Sequence, residues 1–81
     1  MRLPRNISGD DLVKVLSHFG YEVTRQTESH LRLTRKTEDK KFHLTIPNHN
    51  IIRVGTLNNI LNDLSIHLEL EKSKLIEILF Q

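Results

Sequence analysis

The sequence predicts an α+β two-layer sandwich, with one helix, three antiparallel strands and then two helices on one face of the sheet. Two observations carry this. Apolar residues recur at helical spacing near the front and over the last third of the chain, while three stretches between alternate apolar and polar residues. The alternation is one-sided, so one sheet face must be covered, and only the helices are available to cover it. At 81 residues the chain is read as a single domain, 1–81.

The first helix is announced by Ser8-Gly9-Asp10-Asp11. Ser8 is a capping residue, and acids suit the positive end of a helix dipole. Leu12, Val13, Leu16 and Phe19 make one apolar stripe, and Gly20 stops the helix. Tyr21-Glu22-Val23-Thr24-Arg25 then alternates, with Tyr21 and Val23 expected inward. His30-Leu31-Arg32-Leu33-Thr34-Arg35 places Leu31 and Leu33 inward, and Lys36–Lys40 reads as a polar hairpin turn. In the third strand, from Lys41 to Ile46, Phe42, Leu44 and Ile46 face inward; Pro47 ends it because proline cannot donate to a ladder. Gly55-Thr56 opens the second helix, whose stripe is Leu57, Ile60, Leu61, Leu64 and Leu68. A break near Glu69-Leu70 precedes a short last helix with Leu75, Ile76, Leu79 and Phe80 on its apolar side.

The outward sheet face then carries Glu22, Thr24, His30, Arg32, Thr34, Lys41, His43 and Thr45. It is polar and mostly basic. Overall net charge is only +2. Residues 1–54 hold ten basic and six acidic side chains, whereas residues 55–81 hold two and four. A basic front suits an anionic partner.

Composition excludes several chemistries. There is no cysteine, hence no disulfide, thiolate metal site or cysteine nucleophile. Three glycines leave no glycine-rich phosphate loop, and no serine sits in a nucleophile-elbow pattern. His43 and His49 match no common zinc spacing, so neither a metal nor a cofactor is expected. No apolar run reaches the ~18 residues of a membrane span, and Met1–Asn6 lacks a signal-peptide apolar region. A cytoplasmic protein is expected. Proton-transfer chemistry falls to five histidines, His18, His30, His43, His49 and His67. His18 and His67 lie late in their helices and read as structural or surface groups.

In order along the chain stand Ile7-Ser8-Gly9, Phe19-Gly20-Tyr21, Ser29-His30, Thr45-Ile46-Pro47-Asn48-His49 and Gly55-Thr56-Leu57 with Ile60-Leu61 behind. On these segments residues 7–80 resemble the HicA family of toxin RNases, the toxin half of a bacterial toxin–antitoxin system. Ser29-His30 stands where that family has Gly-Ser-His, with Glu28 in place of the glycine. Pro47-Asn48-His49 resembles its Val-Pro-x-His segment. The resemblance implies a fold like the double-stranded-RNA-binding domain, catalysis by His30, ribosome-independent cleavage of mRNA, and a HicB-type antitoxin as partner.

A histidine base on the RNA 2′-hydroxyl lets that oxygen attack the adjacent phosphorus, giving a 2′,3′-cyclic phosphate and a 5′-hydroxyl. His49 and His43 are the candidates for a second proton carrier. Ser29, Arg25, Arg32, Arg35, Lys36 and Lys41 are the candidates for RNA binding, with Lys40 extending the basic surface. A non-catalytic RNA-binding module and a protein-interaction domain are the competing readings. Glu28 favours the former, since a carboxylate beside the histidine repels phosphate.

Overall fold

The computed structural model describes Leu3 and residues 6–80, in the order α1 (Gly9–Ser17), β1 (Tyr21–Gln26), β2 (His30–Lys36), β3 (Lys41–Pro47), α2 (Val54–Leu68) and α3 (Lys72–Leu79). Arg2 and Arg5, counted above in the basic front, lie outside the described residues. The strands form one antiparallel sheet with β2 in the centre. This is the expected α+β architecture.

Local chemistry sets each boundary. Ser8 Oγ accepts the Asp11 N–H at 3.0 Å, and the Asp11 carboxylate accepts the Ser8 N–H at 3.2 Å. This reciprocal box opens α1. The Ser8 backbone N–H, and after it the Ser8 side chain, favour the ionised carboxylate and lower the Asp11 pKa. Gly20, at φ 87°, turns the chain from α1 into β1. α2 ends at Glu69, the one non-glycine residue with positive φ (53°) among the described residues. There the Leu70 N–H reaches back to the Ser65 carbonyl and the Glu69 N–H to that of Ile66.

The core lies on one side of the sheet. Leu31, Leu33, Leu44 and Ile46 meet Leu12 and Leu16 of α1, Leu57, Ile60, Leu61 and Leu64 of α2, and Leu75 and Leu79 of α3. Each such side chain contributes about 1.5–3 kcal/mol by leaving water. The smallest principal extent is 18 Å. That admits a sheet and one layer of helices, each about 10 Å across, so among the described residues the opposite sheet face is bare.

Two expectations about the strands are corrected. Val23 is 40% exposed rather than buried. It lies on an edge strand, and the register slips immediately after it. Val23 pairs with Leu33 while Arg25 pairs with Arg32, leaving Thr24 as an extra residue. This bulge bends β1. Thr34, expected to be a solvated outward residue, is only 6% exposed, because side chains from both neighbouring strands close over it.

His67 of α2 is a structural residue. Its Nδ1 lies 3.0 Å from the Tyr21 hydroxyl and its ring packs on Phe42. Burial pushes the Tyr21 phenol up, with Arg35 opposing the shift.

Candidate active site

The bare sheet face is built mainly from β2. His30 is its first residue, and both of its own backbone groups bond on the β1 side. The His30 N–H donates to Thr27 Oγ1 (3.1 Å), and its carbonyl accepts the Thr27 N–H (2.9 Å). On the other side the Asn48 N–H donates to the Ser29 carbonyl at 2.9 Å. The cross-strand partner of His30 is Pro47. Because His30 spends both backbone groups on the β1 side, this is a non-hydrogen-bonded pair, which tolerates a proline and brings the two side chains close. Above this frame Ser29 Oγ lies 2.9 Å from His30 Nδ1. The serine therefore fixes the ring, Nε2 has no hydrogen-bond partner among the described residues, and His30 remains exposed.

His49 lies two residues past Pro47, in the segment that joins β3 to α2. That segment is clamped to the front of the chain. The Gly9 N–H donates to the His49 carbonyl at 3.0 Å, and the Ile52 N–H to the Ile7 carbonyl at 2.8 Å. Ile7 and Ile52 are both buried. His49 is the second histidine at the His30 end of the sheet.

His43 is elsewhere. It pairs with Thr34, four residues along β2 from His30. That is about 13 Å along the strand. Its Nδ1 lies 3.0 Å from Thr34 Oγ1, which fixes the ring there. A second proton carrier must reach the same scissile phosphate, directly or through one water. His43 stands about 13 Å along the strand from His30, whereas His49 follows Pro47, the cross-strand partner of His30.

The basic residues divide in two. Arg32 is outward and exposed, and the bulge at Thr24 swings Arg25 onto the same face as its direct partner. Lys36 and Lys41 form a second cross-strand pair on that face. Arg35 does not belong to it. It points to the helix side, where Nε donates to the Phe19 carbonyl at 3.1 Å and the guanidinium sits 5.6 Å from the centre of the Phe42 ring. Strand parity with Leu31 and Leu33 dictates this inward course. Among the described residues no group of three or more histidine, aspartate and glutamate side chains is placed to hold a metal ion.

Three features escape motif reading. The turn Thr27-Glu28-Ser29-His30 is a twin of Thr37-Glu38-Asp39-Lys40. In both, the threonine N–H and Oγ1 bond to the fourth residue's carbonyl and the fourth residue's N–H returns to the threonine Oγ1. The repeated Thr-Glu is the signal. Glu28 has no positive φ, so this turn does not require the glycine of the family motif. Gly9 is the second feature, since a Cβ there would stand 2.6 Å from the Pro47 carbonyl oxygen. The third is a chain of hydroxyls linking Thr24, Thr34 and His43 across the sheet.

No helix among the described residues is long and apolar enough to cross a membrane. Neither the curated proteins nor the solved structures searched include a match to this chain. A family model described as the HicA toxin of bacterial toxin–antitoxin systems does match, over residues 9–66. The match runs from the capped start of α1 through both hairpins and most of α2, well over half of the chain and all of the bare face. The chain belongs to the HicA toxin family of bacterial toxin–antitoxin systems.

Proposed function

We propose that this toxin is a ribosome-independent mRNA endoribonuclease in which His30 is the general base. The observation that carries the reading is His30 itself: an exposed imidazole, its Nδ1 held by Ser29 at 2.9 Å, at the end of a basic sheet face. With the Nδ1–H donated to Ser29 Oγ, the Nε2 lone pair is free to take the proton of an RNA 2′-hydroxyl. The 2′-oxygen attacks the adjacent phosphorus, the bond to the 5′-oxygen breaks, and a 2′,3′-cyclic phosphate and a 5′-hydroxyl result. RNA brings its own nucleophile, so the reaction needs no metal or cofactor in principle. His49 is the candidate donor of a proton to the departing 5′-oxygen. Arg25 and Arg32, paired across β1 and β2, are suited to the charge that builds on the phosphorane. Ser29, Lys36 and Lys41 extend the RNA contact. Membership of a toxin–antitoxin family implies an antitoxin partner; a HicB-type protein that occludes His30 in the cytoplasm fits this reading.

The test is cleavage of an mRNA by purified wild-type protein and the His30→Ala variant, both in chelator. His30 is exposed and ties down no core residue, so the variant is expected to fold. A positioned base is worth about 10²–10⁴ in rate, and loss of that order is expected. A 2′-deoxy linkage at the cleavage site is expected to survive. Wild-type rates in His30→Ala, or cutting at the deoxy linkage, overturn the mechanism. Binding without cleavage by both proteins selects the non-catalytic RNA-binding module instead.

A further inference from the structure

The hydroxyl chain on the bare face points to a second anion site, remote from His30. Thr24 Oγ1 lies 3.4 Å from the Arg32 carbonyl oxygen and 2.8 Å from Thr34 Oγ1; Thr34 Oγ1 lies 3.0 Å from His43 Nδ1. A carbonyl can only accept, so it sets a direction for the chain. Thr24 donates to Arg32, Thr34 donates to Thr24, and the His43 Nδ1–H donates to Thr34. In this arrangement Nδ1 is the nitrogen engaged with Thr34, and the ring is oriented with Nε2 at its distal side. Thr34 is almost fully buried, so the relay is built into the sheet and is no chance surface contact.

The surroundings are cationic. Lys41 lies two residues from His43 on the same face of β3, while Arg32 and Lys36 lie diagonally across on β2, within reach of long side chains. The acid of this face, Glu22, pairs with Thr34 from the opposite side and is separated from His43 by that threonine. Two lysines placed directly opposite one another, Lys36 and Lys41, repel unless an anion lies between them.

We propose that His43, oriented by Thr34 and Thr24, binds a non-scissile phosphate of the RNA, so the face grips one strand at two separated phosphates. Allowing for the neighbouring strand, the two histidine backbones are about 14 Å apart, which sets the second phosphate beyond the nucleotides flanking the cut. This rests on the reading of the bare face as an RNA site, but not on cleavage. Thr34 and Thr24 are positioning residues; the phosphate contact is His43 Nε2–H, with Lys36 and Lys41 adding charge.

The test uses a single-stranded RNA with every 2′-hydroxyl methylated, which cannot be cut by the proposed route, and measures its affinity by fluorescence anisotropy at one fixed salt concentration. His43→Asn keeps an N–H toward Thr34 and lacks the distal nitrogen; about a tenfold loss of affinity is expected, the size of one charge-assisted hydrogen bond. Thr34→Val is expected to weaken binding comparably by freeing the ring, and Thr34→Ser to restore it. A purely structural role for Thr34 would show in the melting temperature instead. Affinity within about twofold of wild type for His43→Asn overturns the proposal, as does a failure of the wild type to bind. Weakened binding by His43→Asn in a protein that never cuts RNA upholds the site and removes the nuclease. Normal cutting with unchanged affinity does the reverse.

Discussion

Replacing Gly9 with alanine puts a methyl group where the end of β3 already is. Its Cβ would lie 2.6 Å from the Pro47 carbonyl oxygen, with the Asn48 Cα at 3.4 Å. Both are backbone atoms, so no flexible side chain can give way. Reaching an ordinary contact of about 3.4 Å requires an opening of roughly 0.8 Å, in the segment that carries Pro47 and His49. Overpacking of this kind costs about 1–3 kcal/mol. Alanine's helix propensity returns at most about 1 kcal/mol, less in a first turn. The net expectation is a loss of about 1–2 kcal/mol, or roughly 5–15 °C in melting temperature for a domain of this size. Gly55 is the control. It also lies in the first turn of a helix, but a Cβ there meets nothing within 4 Å. Gly55→Ala is expected to be neutral or to stabilise by up to about 1 kcal/mol. Thermal denaturation of both variants followed by circular dichroism decides the matter. Equal shifts, or a Gly9→Ala protein as stable as wild type, would show that the junction of α1 with β3 is not held by close approach. Because His49 rides on this junction, cleavage should fall in Gly9→Ala even at temperatures where the protein is folded.

Two further outcomes are expected. Glu69 holds a left-handed conformation at the end of α2, which strains a residue with a Cβ by about 1–2 kcal/mol, and it puts an acidic residue at the negative end of the helix dipole. Glu69→Gly should therefore raise the unfolding free energy by about 1 kcal/mol in urea titration; a drop would show that the side chain has a stabilising partner. Glu28→Gln removes the carboxylate at the tip of the His30 turn. RNA affinity should rise a few-fold at low salt and converge with wild type as screening shortens to about 10 Å near 0.1 M; identical low-salt affinities would mean that Glu28 points away from bound RNA.

The helices and strands were legible in the sequence because each level of the chemistry agrees. Ser8 and Asp11 cap α1, the apolar stripes keep helical period, and Leu31, Leu33, Leu44 and Ile46 alternate without interruption. The site was legible as residue types but not as an arrangement. Charge alone makes Arg35 a candidate for RNA binding, although strand parity sends it inward to Phe19 and Phe42. The bulge at Thr24 has no marker in composition, yet it decides that Arg25 shares a face with Arg32. Spacing also could not separate His43 from His49. Their distance from His30 depends on register, and register is set by the Thr37–Lys40 turn and the pairing of Pro47 with His30. Burial of Thr34 on a solvent-facing side depends on side chains from β1 and β3 meeting over it, a non-local fact.

On the proposed RNA-binding role, the bare face is a compromise between stability and binding. Arg25 opposite Arg32 and Lys36 opposite Lys41 are like-charged cross-strand pairs, each unfavourable by some tenths of a kcal/mol to about 1. A chain of this size has little stability to spare, and both pairs would be relieved by neutral residues at one position each. The bulge that brings Arg25 to the face also interrupts the ladder between β1 and β2. These features oppose folding and share one effect, which is to concentrate positive charge along β2. The central strand then presents His30, Arg32, Thr34 and Lys36 on one side in sequence, with a neighbour on each flank to hold it straight. Placing the histidine at the start of that strand, bonded to Thr27 on one side and backed by Pro47 on the other, fixes its position through the sheet rather than through a loop. The twin turn at Thr37–Lys40 folds by the same bonds but carries lysine where the first carries histidine. The turn chemistry alone therefore does not account for a histidine at that position.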